Sequence, residues 1–150
     1  MAKMSIMFNG FADLAEKIDA MGKDIKPAVE EALTETQKLV QTNLESAAEQ
    51  YRSPNDGRKG WAKGNLYKAI IKNPRIEWEG NIATVRVGFS RELDRLGFWH
   101  SIFVMYGVPF HGKFNHGYAK DTKIYNAIKG TRTKNRIKKL QRDTLERYMK

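Results

Sequence analysis

The sequence predicts an α+β domain in which a long N-terminal helix and a C-terminal helix pack on a small antiparallel β-sheet. Three observations predict it. Val29, Ala32, Leu33, Thr36, Val40, Leu44, Ala47, Ala48 and Tyr51 step by three and four residues, the spacing of one helix face, while Glu30, Glu31, Lys38, Gln41 and Glu45 fill the opposite face. Ile76 and Trp78 alternate with Arg75, Glu77 and Glu79. Past Gly80-Asn81, Ala83, Val85, Val87 and Phe89 alternate with Ile82, Thr84 and Arg86, which reads as an antiparallel hairpin. Ile137, Leu140, Thr144 and Tyr148 form an apolar stripe on a basic terminal helix.

The other elements follow in chain order. Phe11, Leu14, Ile18 and Met21 stand at helical spacing, and Gly22 occupies the place of a helix C-terminal glycine. Pro27 suits the first turn of the long helix, and Ser53-Pro54-Asn55-Asp56-Gly57 ends its pattern. Roughly 25 residues at about 1.5 Å each make a rod about 37 Å long, enough to cross the whole subunit. Residues 52–64 form a glycine-rich basic loop. Asn65 is the expected cap of a short helix holding Leu66, Ala69 and Ile70, which stops before Pro74. Trp99 to Tyr106 is apolar but short, so periodicity does not separate strand from helix there. Residues 107–120 read as a long loop, of a length uncommon unless the loop binds something or is ordered by a partner. Beyond Asp121, Ile124, Ala127 and Ile128 restore a helical pattern up to Gly130. No internal repeat or low-complexity tract interrupts the chain.

With 150 residues, 41% hydrophobic and 11% aromatic, the chain can bury one ordinary core, so a single domain is expected. The absence of cysteine excludes thiol nucleophiles, disulfides and thiolate metal sites. No run approaches the roughly 18 apolar residues of a membrane span, and the N-terminus lacks signal-peptide character, so a soluble protein made in the cytoplasm is expected. The net charge of +10 is uneven. Residues 1–50 carry five Lys and Arg against nine Asp and Glu, residues 51–128 carry 13 against six, and residues 129–150 carry nine against two. An acidic first third and a basic remainder can attract identical subunits head to tail, or present a basic face to nucleic acid.

Few residues offer chemistry. His100, His111 and His116, with Asp121, fit neither the helical His-Glu-x-x-His pattern nor a tight zinc spacing, and loop hydrogen bonding or subunit contact is the better reading. The loop of Gly57, Gly60 and Gly64 is not a phosphate cradle, since it neither follows a strand nor carries the hydroxyl after its lysine. Arg58, Lys59, Trp61 and Lys63 pair charge with one aromatic, as single-strand binders do, although a tryptophan anchored on the core or a neighbour explains them more simply. The basic helix from Lys129 to Lys150 can meet phosphates or stand as a solvated face.

Read in order, these segments resemble the gene-product-ten-like tail-component family of tailed bacteriophages, small proteins of the head-tail joining region. Gly10-Phe11-Ala12-Asp13-Leu14 is similar to its opening Gly-x-x-x-Leu, and residues 28–51 to its long alanine-rich helix. Lys63-Gly64-Asn65-Leu66-Tyr67-Lys68-Ala69-Ile70 echoes a Thr-Gly-x-Leu-x-x-Ser-Ile motif, and Val85-Arg86-Val87-Gly88 a strand ending in Val-Gly. Phe103-Val104-Met105-Tyr106-Gly107-Val108 corresponds to Phe-Val-Glu-Phe-Gly-Thr. The chain departs from the pattern at Lys63, Ala69 and Met105, which bears on local polar contacts more than on fold.

The resemblance implies a non-enzymatic virion protein without catalytic residues, cofactor or metal. Its implied place is the neck, assembled in the host cytoplasm as a hexameric ring that contacts the tail terminator or the stopper and connector. Contacts with other subunits or partners are expected at Trp61, Trp99, Phe103, Tyr106, Phe110, His111 and Phe114. Weak contacts with DNA in a lumen, or with an acidic partner, are expected at Lys134, Lys138, Lys139 and Arg142. The rival reading is a non-catalytic DNA- or RNA-binding protein acting through residues 52–64 and the basic C-terminal helix. A histidine-dependent nuclease trails behind both.

Overall fold

A computed structural model describes residues 5–7, 12–22, 24–51, 64–73, 75–80, 82–107 and 120–150. The described chain runs β1 (Ser5–Met7), α1 (Ala12–Ala20), α2 (Lys26–Ala48) with a 3-10 turn Glu49–Tyr51, α3 (Asn65–Lys68), β2 (Ile76–Glu79), β3 (Ile82–Arg86), α4 (Arg95–Tyr106), α5 (Thr122–Lys129) and α6 (Thr131–Met149). The fold class is α+β, as the patterns predict. The expected loops at 52–64 and 107–120 fall almost wholly outside the described residues.

The sheet has three antiparallel strands in the order β1-β3-β2. The hairpin stands where the alternation places it, with Trp78 opposite Ala83 and Ile76 opposite Val85. On β3, Ala83 and Val85 point inward and Ile82 is exposed, the period-two pattern of a sheet with one covered face. Strand β1, which pairs Ile6 with Val85, has no counterpart in the sequence reading, because three residues carry no measurable period.

Helix α2 lies against the sheet and is the element that most others share. Its Leu33, Val40 and Leu44 join one core with Leu66 of α3, Val85 of β3, Met105 of α4, Ile124 of α5 and Ile137 of α6. Gly64, in the left-handed region at φ 75°, precedes α3 and makes no side-chain cap, so Asn65 is the first helical residue and not the expected cap. A second, smaller cluster of Ile18, Ala28 and Leu145 ties α1 and α2 to the end of α6.

Helix α6 packs along α2 through a largely polar seam. Of the predicted stripe, Ile137 and Thr144 are buried and Leu140 and Tyr148 half-buried, while Thr133, Gln141 and Leu145 complete the inward face. Gln141 Nε2 donates to Thr36 Oγ1 at 3.3 Å. Thr144 Oγ1 is 3.1 Å from Glu35 Oε2 and 2.9 Å from the Leu140 carbonyl, so its one proton serves either acceptor. Arg147 Nη2 reaches both oxygens of Glu35, at 3.1 and 3.2 Å, and lies 3.5 Å from Glu31. The Glu35 hydrogen bond raises the Arg147 pKa, and a hydrogen bond with Glu31, then burial, push the Tyr148 phenol above its ordinary value.

Candidate interaction surfaces

Two exposed surfaces stand out, one on α4 and one on α6. Helix α4 begins where Asp94 accepts a hydrogen bond from the Gly97 amide at 2.8 Å, and it ends at Gly107, φ 75°, whose amide donates to the Phe103 carbonyl at 2.8 Å. The apolar run at 99–106 is therefore helical, and starts four residues earlier than its composition suggests. Gly97 allows the start of α4 to press on α3: a Cβ there would sit 1.9 Å from the Asn65 carbonyl oxygen. That approach turns Gly97, Phe98, Ser101, Val104 and Met105 into the core.

The opposite side of α4 is also apolar. Leu96, Trp99, Phe103 and Tyr106 recur at three- and four-residue steps and are 59%, 42%, 42% and 51% exposed. A helix apolar on all sides belongs in an interior, so an uncovered aromatic face on one is a candidate contact surface. Of the residues expected to make partner contacts, Trp99, Phe103 and Tyr106 are brought together on this face, and Leu96 joins them. Trp61, Phe110, His111 and Phe114 lie outside the described residues, as does His116.

The far end of this face is fixed to α5. Tyr106 meets Tyr125 edge to face at 6.3 Å between centroids. Lys129 Nζ is 2.6 Å from the Tyr106 hydroxyl and 5.2 Å from its ring centroid, which puts the ammonium off the hydroxyl end of the ring as a hydrogen-bond donor and not over the π face. Lys120 does lie near the Tyr125 ring, 4.5 Å from the centroid. Asp121 is a structural hub: its Oδ1 accepts from the amides of Lys123 and Ile124, its Oδ2 from Gln50, and its own amide donates to the Val104 carbonyl.

His100 also lies on α4, where burial lowers its pKa below the ordinary 6.5 against the opposing pull of Asp94. The fold therefore favours the neutral ring, and the stability this contributes is full above pH 6.5 and is lost as pH falls through 6.5 toward the lower folded value. Replacing His100 by asparagine should flatten the fall in thermal stability across that window; an unchanged profile would assign the fall to carboxylates instead.

Helix α6 presents its polar side to solvent as two rows of cations, Arg132, Arg136 and Lys139 in one, and Lys134, Lys138 and Arg142 in the other. The rows end at Asp143 and Glu146. Lys134, Lys138, Lys139 and Arg142 are exposed where the sequence places them; Arg132 and Arg136, part of the same basic helix but not among the four contacts expected, are exposed beside them. The acidic first third is less available than its composition suggests. Glu31 and Glu35 hold Arg147, Glu30 accepts from Trp78 Nε1 at 3.0 Å, and Asp24 accepts from the Lys26 amide.

No family model, curated protein or solved structure matches the chain. Among the described residues, no three His, Asp or Glu side chains gather as a metal site, and no helix is long and apolar enough to cross a membrane.

Proposed function

We propose that this chain is a non-catalytic structural subunit that assembles with copies of itself and with other proteins, and that the assembly is the head-to-tail junction of a tailed bacteriophage. The observation that carries the assembly reading is the α4 face of Leu96, Trp99, Phe103 and Tyr106. Tryptophan and tyrosine supply most of the binding energy of protein interfaces when fully desolvated, and here they sit on a capped, core-anchored helix that needs no reordering on contact. The phage reading is supported by the order of motifs along the chain, from Gly10 to Gly107. Its proposed place is a ring at the head-proximal end of the tail, in contact with a terminator or a stopper.

Sedimentation and light scattering test it. The protein is expected to form oligomers, or to bind a neck or tail partner, and Trp99→Ser with Phe103→Ser should weaken that association by more than about 100-fold. Because each side chain is only 42% exposed, the fold also loses about 1 to 3 kcal/mol, so association is compared at a temperature where the variant stays folded. A strict monomer that ignores every neck and tail protein would remove the proposal.

A further inference from the structure

From the two cationic rows of α6 we infer a second contact, independent of the assembly face: a sequence-indifferent binding surface for the phosphate backbone of double-stranded DNA. The charges do not serve the helix that carries them. Arg132 and Lys134 occupy its first turns, where the helix dipole favours carboxylates, and no acidic residue stands in the first turn. Arg132 and Arg136, and Lys134 and Lys138, are like charges four residues apart, a spacing that destabilises an isolated helix. Among the described residues, these five cations, counting Lys139, form no ion pair. The first-turn cations and the like-charge pairs cost the helix stability, a cost that an outside polyanion would relieve.

The chemistry of the surface selects the kind of polyanion. The exposed rows include no aromatic, and Tyr148, the aromatic of α6, is turned to the α2 seam through Glu31. Base stacking, the principal grip of single-strand binders, is therefore missing, and the phosphates alone are available for recognition. A helix anchored through Gln141, Thr144 and Arg147 suits the regular, denser charge of a duplex. A second copy of this chain is the poorer occupant, because it carries a net charge of +10 and its Glu30, Glu31 and Glu35 are already engaged.

Fluorescence anisotropy of the full-length protein with a labelled duplex and a single strand of equal length tests this over a salt series. Duplex binding is expected with a slope of log K against log salt of about −4 to −5, from five cations at about 0.9 each, and a shallower slope for the single strand. Combined Arg132→Gln, Lys134→Gln, Arg136→Gln, Lys138→Gln and Lys139→Gln should bring the duplex slope to about −1 or less and leave association through the α4 face intact. Arg132→Gln with Arg136→Gln alone should reduce it by about two units, which keeps the test sharp if the larger variant folds poorly. Trp99→Ser with Phe103→Ser should leave the slope unchanged, so the two surfaces fail separately. No duplex binding at low salt, a slope insensitive to these cations, or displacement by polyglutamate at lower charge concentration than by DNA would each overturn the inference, the last in favour of an acidic protein.

Discussion

Gly97→Ala is expected to destabilise the protein by about 2 kcal/mol or more, against the direction that helix propensity alone predicts. Alanine in a helix interior is about 1 kcal/mol better than glycine, so an exposed site of this kind would gain stability. Here the new Cβ would lie 1.9 Å from the Asn65 oxygen, 2.5 Å from its carbonyl carbon and 2.9 Å from the Ala69 Cβ. Two of the three are backbone atoms of α3 that cannot rotate away, and that same Asn65 carbonyl accepts the Ala69 amide at 3.1 Å. Overpacking of this severity costs about 3 kcal/mol, which outweighs the propensity gain. The helices must part, and α4 would carry Trp99, Phe103 and Tyr106 together away from Tyr125 and Lys129 on α5, so association should weaken as well. Gly80→Ala is the control: its φ of 60° is strained for alanine, by about 1 kcal/mol, but nothing lies within 4 Å. Chemical denaturation of both variants decides the matter. Equal losses would mean that the close approach of α3 and α4 relaxes at little cost.

Much of this architecture is legible in the residues, and the parts that are not have identifiable physical causes. Helix α2 and the β2-β3 hairpin each have one wet face and one dry face, so their periods survive in the sequence. Helix α4 does not, because Leu96, Trp99 and Phe103 lie outside while Phe98, Val104 and Met105 lie inside, and a helix apolar on both sides shows no period. Its only local signal was the cap at Asp94, three residues before Gly97. The exposed α4 face was consequently readable as a set of aromatics but not as a surface, and Leu96 was missed. The α2-α6 seam was invisible for a different reason. Glu35 and Arg147 are 112 residues apart, and nothing local marks two charged residues as partners. Pattern reading likewise found the apolar stripe of α6 at Ile137 but passed over Thr133 and Gln141, polar residues buried because each has a hydrogen-bond partner in the neighbouring backbone or helix.

That seam poses a question of magnitude, whether α6 is held by its ion pairs or by its few apolar contacts, and Leu145→Ala against Glu35→Ala answers it. Leu145 is fully buried, in the cluster with Ile18 and Ala28, so alanine there removes contacts from three helices at once. Such truncations cost about 2 to 5 kcal/mol, and the flexible Met149 at the cluster's edge can close part of the cavity, which argues for the lower half of that range. For a domain of this size about 3 kcal/mol corresponds to a fall in Tm of about 6 to 12 °C. The Glu35 network looks richer, with two hydrogen bonds from Arg147 and one from Thr144. Yet Arg147 is 56% exposed and Glu35 31%, and pairs so wetted contribute little to stability. Without Glu35 the guanidinium still has Glu31, 3.5 Å away, and the Thr144 proton still has the Leu140 carbonyl. Leu145→Ala should therefore destabilise the protein at least twice as much as Glu35→Ala, and amide exchange should show α1 and the last turns of α6 opening together in the former. Should Glu35→Ala prove the more costly, the polar seam would be cooperative, and the terminal helix would owe its place to charge and not to Leu145.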